Sequence, residues 1–160
     1  MHSTIATDVA APPELVYRLV RDVTRWERLL PHYSRSALVR DDGDALVCDF
    51  VARRPFLPVL GLGIPVTWRS RTWHEPATRR LRFVHVAGAT KGMDVTWTIE
   101  PAGAGTRVEI AHDFGPPIPG FAAFVDLAFT RPIAGRTLAT FRALAEALAS
   151  DAPAGTNPWS

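Results

Sequence analysis

Strict alternation in two late segments, a strong turn signal and a change of period predict an α+β domain. In it a strongly curved antiparallel sheet of about seven strands covers its apolar face with a long C-terminal helix. The alternation is clearest in Met93-Asp94-Val95-Thr96-Trp97-Thr98-Ile99 and in Val108-Glu109-Ile110-Ala111-His112-Asp113-Phe114. The turn is Asp41-Asp42-Gly43-Asp44, whose Asp-Gly step favours a hairpin. The period lengthens after Gly115-Pro116-Pro117-Ile118-Pro119-Gly120.

Taken in order, residues 4–9 read as a first strand. Ala11-Pro12-Pro13-Glu14 opens a helix with an early proline and an acid in the first turn, and Leu15, Val16, Leu19 and Val20 form its apolar stripe. A second short helical stretch passes through Trp26, Leu29 and Leu30 and stops at Pro31. Residues 34–40 and 45–53 form the hairpin, and strands resume at 66–75, 80–87, 93–100 and 106–114. Between them, residues 54–65 are apolar but rich in Pro and Gly, and read as an irregular hydrophobic loop. Packing of its Phe56, Leu57, Val59 and Leu60 against Ile118, Phe121 and Phe124 would make a lid at one end of a cavity; membrane contact or a protein partner is the less favoured alternative. Phe121, Phe124 and Ala128 mark one helical face; Ile133, Leu138, Phe141, Ala145 and Leu148 mark a longer one, with Pro132 starting or kinking it. Residues 1–150 form one domain in this reading, and 151–160 a disordered tail.

The 160 residues suffice for a core with a cavity in it. The formal charge of 18 − 16 = +2 does not point to nucleic acid. A single cysteine, Cys48, leaves no internal disulfide and no Cys-rich zinc site, and Schiff-base chemistry would have to use Lys91, the one lysine. With neither a signal-like N-terminus nor a long apolar run, the expectation is a cytoplasmic protein.

Alternation puts Trp68, Ser70 and Thr72 inward and Arg69, Arg71 and Trp73 outward. It also turns His85 inward with Leu81 and Phe83, and His112 with Val108, Ile110 and Phe114. A buried imidazole needs a partner, so each histidine either is satisfied within the core or faces a bound molecule. His32 next to Tyr33 could reach a cavity mouth, and His74 beside Glu75 falls at a turn. The strand at 45–53 is ambiguous: Cys48 and Phe50 favour one face, Val47 and Val51 the other. No nucleotide, hydrolase or zinc-protease motif is present; Gly61-Leu62-Gly63 is only a GxG without a βαβ setting.

The order of elements, with Ala11-Pro12-Pro13-Glu14-Leu15-Val16-Tyr17, Asp22-Val23-Thr24-Arg25-Trp26, Pro31-His32-Tyr33, Trp68-Arg69-Ser70-Arg71, Gly92-Met93-Asp94-Val95-Thr96-Trp97 and His112-Asp113-Phe114, resembles the helix-grip domain of the START-like superfamily. Within it the chain resembles the aromatase/cyclase proteins of bacterial aromatic polyketide pathways. The resemblance implies a deep cavity between sheet and long helix, where a carrier-tethered poly-β-ketone chain folds, undergoes aldol condensation and loses water, without metal or redox cofactor. The chain departs from better-known members where His85 and Thr72 stand in place of cavity arginines.

On that reading Ser70, His85, His112 and Tyr33 are the candidate catalytic residues, with histidine suited to proton transfer by its ordinary pKa near 6.5. Trp26, Arg53, Trp68, Met93, Trp97 and Phe141 are the candidate substrate-binding residues, Arg53 if its strand turns inward; Arg131 and Arg136 are further candidates. Arg18, Arg21, Arg25 and Arg28 would form one face for docking an acidic acyl carrier protein if the helical stretch is continuous, and a solvated face otherwise. The same cavity would equally serve a non-catalytic carrier of a quinone, lipid or pigment. A collapsed core would instead mark an interaction domain.

Overall fold

The half-buried alternation of the late strands builds one seven-stranded antiparallel sheet, in the order β1-β7-β6-β5-β4-β3-β2. The computed structural model describes residues 1–57 and 62–151. Its strands are β1 (His2–Val9), β2 (Tyr33–Asp41), β3 (Leu46–Leu57), β4 (Leu62–Glu75), β5 (Arg80–Gly88), β6 (Asp94–Ala102) and β7 (Gly105–Asp113). Between β1 and β2 lie α1 (Pro13–Arg21), a 3₁₀ turn (Val23–Arg25) and α2 (Trp26–Leu29). The chain ends in α3 (Phe121–Val125), a π-helical turn (Asp126–Thr130) and α4 (Arg131–Ser150). Helix α4 packs on β1 and on β3, which stand far apart in the strand order, so the sheet curls around it. No helix among the described residues is long and apolar enough to cross a membrane.

The β2–β3 turn is held as its sequence requires. Gly43 takes φ +85°, its N–H donates to Asp41 Oδ1 at 2.8 Å, and the Asp42 N–H donates to the Ala45 carbonyl at 2.9 Å. Helix α1 begins at Pro13 and buries Leu15, Val16, Tyr17 and Val20. It stops at Asp22, whose extended ψ of 82° breaks the helical path before the 3₁₀ turn. Arg18, Arg21, Arg25 and Arg28 are all exposed, but they are divided over three helical pieces rather than aligned on one helix, and Arg18 pairs with Glu14 at 3.5 Å.

Three expectations need correction. Residues 54–57 and 62–65 are not loop: β3 and β4 continue through them, with Arg54 opposite Ile64 and Pro55 opposite Gly63. A register slip after Pro55 absorbs the missing N–H, and Gly63 lies so close to the facing strand that a Cβ would meet the Arg54 carbonyl at 2.9 Å. The tip at 58–61, the lid contact proposed for it and the tail beyond Asp151 lie outside the described residues. Next, the buried helical face is not Phe121, Phe124 and Ala128. Phe124 and Leu127 are 57% and 75% exposed, whereas Val125, Asp126 and Thr130 are buried, because the π turn carries an extra residue and rotates the inward stripe. In α4 the stripe is Ile133, Ala134, Thr137, Leu138, Phe141 and Ala145, and Leu148 lies past its end, exposed. Finally, His74 sits within β4, its ring 6.4 Å from that of Tyr17, and not at a turn.

Gly88 marks a close approach of backbones, at the bend where β4 and β5 slip register between Arg69 and Ser70. Its φ is +96°, and an added Cβ would lie 2.6 Å from the Thr67 carbonyl oxygen. Gly88→Ala is expected to lower the unfolding free energy by about 2–4 kcal/mol. Gly43→Ala, whose added Cβ meets nothing within 4 Å, should lose about 1 kcal/mol from backbone strain alone. Urea denaturation of the two variants measures the difference, and equal losses would remove the close approach as its cause.

Candidate functional site

The inward faces of β3 to β7 and the start of α4 do not close on each other. They leave a cavity of about 80 Å³ whose walls include Trp26, Tyr33, Phe50, Trp68, Phe83, Met93 and Trp97. Its polar points are His85, Thr90, His112, Thr130 and Thr137. Of the sequence-predicted site residues the structure brings Trp26, Tyr33, Trp68, His85, Met93, Trp97 and His112 to this one space. A second groove, of about 170 Å³, opens at the opposite end of the sheet beside Arg21, Asp44, Trp73 and His74. It lacks the stack of three rings and the two imidazoles of the first, and Asp44 is already paired with Arg71 at 2.9 Å.

Trp26 organises the walls. Its Nε1–H donates to the Val20 carbonyl at 3.0 Å, and its ring lies 5.4 to 5.9 Å from those of Tyr33, Phe50, Phe83, Trp97 and Phe141. A second feature is a stack: Phe50 and Trp68 lie 5.4 Å apart at 16°, Trp68 and His85 5.7 Å apart at 22°. Three nearly parallel rings thus form one side of the cavity.

The imidazoles are held without charge. His85 is 9% exposed and its Nδ1 is 2.7 Å from Thr90 Oγ1; burial pushes its pKa down to about 3, with His112 acting in the same direction. His112 is pushed down to about 4 by burial, against the opposing pull of the Asp126 carboxylate. Its Nδ1, Asp126 Oδ1 and Ser3 Oγ are all buried without a hydrogen-bond partner among the described residues. Ser3 stands opposite His112 in the β1–β7 register, and Asp126 pairs through Oδ2 with Arg131 at 2.7 Å. Burial works to raise the Asp126 carboxyl, and the hydrogen bond and charge of Arg131, with smaller help from Ser3 and His112, together outweigh it, so the group stays ionised.

His32 sits behind the wall rather than at the mouth. Its Nε2 is 2.9 Å from Thr137 Oγ1, and that hydroxyl spends its own proton on the Ile133 carbonyl, 2.9 Å away. The His32 nitrogen must therefore be the donor to Thr137. Burial, followed by the nearby Arg136, lowers His32 to about 4, and burial raises the Tyr33 phenol far above its ordinary value, Thr137 opposing.

Three expected site residues do not line the cavity. Ser70 is fully buried and inward as predicted, but its hydroxyl lies 3.2 Å from the Val84 carbonyl and 3.3 Å from that of Arg71, so backbone satisfies it. Arg53 is exposed: Cys48, Phe50 and Ala52 take the inner face of β3, and alternation turns Arg53 to solvent. Phe141 is buried one layer back, supporting Trp26 and Trp97. Arg131 and Arg136 are also exposed. The residues that sequence reasoning missed are Phe50, Thr90, Asp126, Thr130 and Thr137. Alternation with Cys48 was the available signal for Phe50; the helical ones depend on the π turn. No cluster of three His, Cys, Asp or Glu side chains able to hold a metal occurs among the described residues.

Comparison with known proteins places this geometry. A polyketide cyclase/dehydrase from Streptomyces virginiae, described as the granaticin polyketide synthase bifunctional cyclase/dehydratase, is 29% identical over 141 residues, covering 82% of this chain and 43% of that protein. The chain thus spans less than half the length of that relative. Among solved structures, the Zhui aromatase/cyclase from Streptomyces sp. R1128 superposes with a TM-score of 0.76 at 19% identity, over 91% of this chain and 93% of the other. The di-domain ARO/CYC BexL of the BE-7585A biosynthetic pathway gives 0.71 at 27% identity, over 95% of this chain and 48% of the other. The family model described as polyketide cyclase/dehydrase and lipid transport matches residues 1–150, and the chain belongs to that family.

Proposed function

We propose that the chain is a polyketide cyclase acting on a poly-β-ketone chain folded within the ring-walled cavity, which it brings to aldol cyclisation and dehydration. The observation that carries this reading is the joining, in one apolar space, of a stacked platform and two uncharged imidazoles. Flat conjugated segments lie on Phe50, Trp68 and His85, and holding a methylene against a distant carbonyl supplies several kilocalories of the barrier. His112 takes a proton from the methylene between two carbonyls; the resulting enolate carbon bonds to a carbonyl carbon, and the new alkoxide is protonated to an alcohol. Loss of that hydroxyl, with a second proton from the adjacent carbon, releases one water. Of the two cavity imidazoles His112 is the stronger base, because Asp126 opposes the effect of its burial while nothing comparable faces His85. Tyr33, buried and held protonated, is the donor to the developing oxyanion.

The exposed arginines Arg18, Arg21, Arg25 and Arg28 are basic contacts suited to an acidic carrier protein, which would deliver the chain as a thioester. A carrier of hydrophobic molecules is the second reading, favoured by walls that are mostly apolar. A lipid or quinone that co-purifies with the protein, together with no turnover of a tethered polyketone, would replace the cyclase reading by this one.

In a reconstituted reaction, His112→Ala should cut the yield of cyclised product by about 10²–10⁴-fold with the circular dichroism spectrum unchanged. Ser70→Ala should change it by less than about twofold, since backbone holds the hydroxyl. Undiminished product from His112→Ala takes that residue out of the mechanism. The imidazoles also set a pH dependence. The unfolded chain protonates its histidines near 6.5, whereas His85, His112 and His32 do so only at about 3 to 4 when folded. The unfolded state therefore binds more protons in that window, so stability is greatest above pH ~6.5 and falls as the pH drops from there toward 4. Denaturation midpoints between pH 7 and 4.5 should decline, and less steeply in His85→Gln. A flat profile would mean that these rings are not buried uncharged.

A further inference from the structure

Every polar group that the described walls present to the cavity is uncharged at neutral pH. The lining contains tyrosine, threonine and histidine among its rings, and no Asp, Glu, Lys or Arg. The ionised groups that act on His112, Asp126 and Arg131, are closed on each other at 2.7 Å. Several of the hydroxyls are also occupied: Thr137 donates to the Ile133 carbonyl, and Thr90 is engaged with His85 Nδ1 at 2.7 Å. A carboxylate placed here would lose its water and meet no cation to repay that loss.

We infer that the cavity selects flat ligands that carry no charge, because no permanent cation stands in the Phe50–Trp68–His85 stack or elsewhere in the described walls. This deepens the cyclase reading and rests on it for the natural ligand: the chain would be recognised as a thioester or other neutral acyl derivative, and the hydrolysed free acid turned away. His85 is the place in the stack where a cation can be introduced to test this, since its ring lines the cavity beside Trp68. An anionic ligand could be paired only by first protonating an imidazole, and a group that titrates near 4 is protonated about one part in 10³ at pH 7. The penalty on an acid relative to its ester is therefore about 10²–10³-fold in affinity.

The test needs no turnover. Trp26, Trp68 and Trp97 line the cavity, so their fluorescence reports occupancy. The full chain is titrated at pH 7 with 2-naphthoate and with its methyl ester. The ester should bind with the acid at least about 100-fold weaker; His85→Arg should narrow or reverse the ratio, and uncharged His85→Gln should keep it. Equal affinities in the wild-type protein, or binding of the acid alone or of neither probe, overturn the inference. A preserved ester preference with no cyclised product sinks the cyclase reading and leaves the selection standing. Normal cyclisation with no preference sinks the selection alone.

Discussion

The indole of Trp26 is where the layers of this domain are tied together. Its N–H meets the Val20 carbonyl, one of the last carbonyls of α1 and so without an intrahelical partner. A single bond thereby satisfies both a buried indole and a helix end. The ring face and edges touch side chains from β2, β3, β5, β6 and α4. Truncating a buried tryptophan typically removes about 3–5 kcal/mol. Here the consequence is also positional, because Trp26 shares with the buried Val23 and Leu30 and with the Glu27–Ser36 hydrogen bonds the task of holding the chain between α1 and β2 against the sheet. The break at Asp22, which prevents one continuous helix, is what lets Trp26 turn inward at all.

A sheet anchored in this way divides its chemistry between two faces. Charged pairs lie outside: Arg69 with Asp49, Arg71 with Asp44, Arg82 with Asp94 and Arg107 with Asp8, all substantially exposed. Each is worth at most about 1 kcal/mol, so they order the outer surface more than they stabilise the fold. The inner face carries rings. Rings are stiff and pack edge to face with gaps that flexible aliphatic chains would fill, so space at one end of the core follows from the choice of Trp, Phe and His there. The histidines are tolerated in that space because they lose their charge, and uncharged imidazoles can stack as well as exchange protons.

Most of the fold was legible in the sequence because it is written locally. Alternation located β5, β6 and β7 within a residue or two, and it assigned Trp68, Ser70 and Thr72 to the inner face correctly. It failed where a backbone irregularity changed the count. The proline- and glycine-rich stretch read as loop because those residues break strands in general, yet Pro55 is accommodated opposite Gly63 by a register slip that depends on the facing strand. Ser70 was placed inward, but whether its hydroxyl would face a ligand or a carbonyl depended on the slip between β4 and β5. Asp126 was invisible for the same reason. The π turn that brings it inward behind His112 leaves no periodic trace, and its relation to Ser3 joins the two ends of the chain.

The cavity of about 80 Å³ is smaller than the roughly 300–1,000 Å³ of most ligand pockets. A ligand as large as the proposed folded polyketone would enter only if a wall recedes, and the walls differ in what receding costs. Each inner strand is hydrogen-bonded to neighbours on both sides and carries rings packed on Trp26, so moving one breaks a ladder and a cluster together. The π turn at Asp126–Thr130 belongs to no strand ladder, and its ties are the Asp126–Arg131 pair and the Phe124–Phe129 ring contact. Its hydrogen bonding already departs from the α-helical pattern, Leu127 faces solvent, and Phe129 and Thr130 reach the cavity from this one short segment. Returning it to an α-helical turn would shift those two side chains without opening the sheet. The same segment holds Asp126, so a change of volume there is coupled to the electrostatic environment of His112.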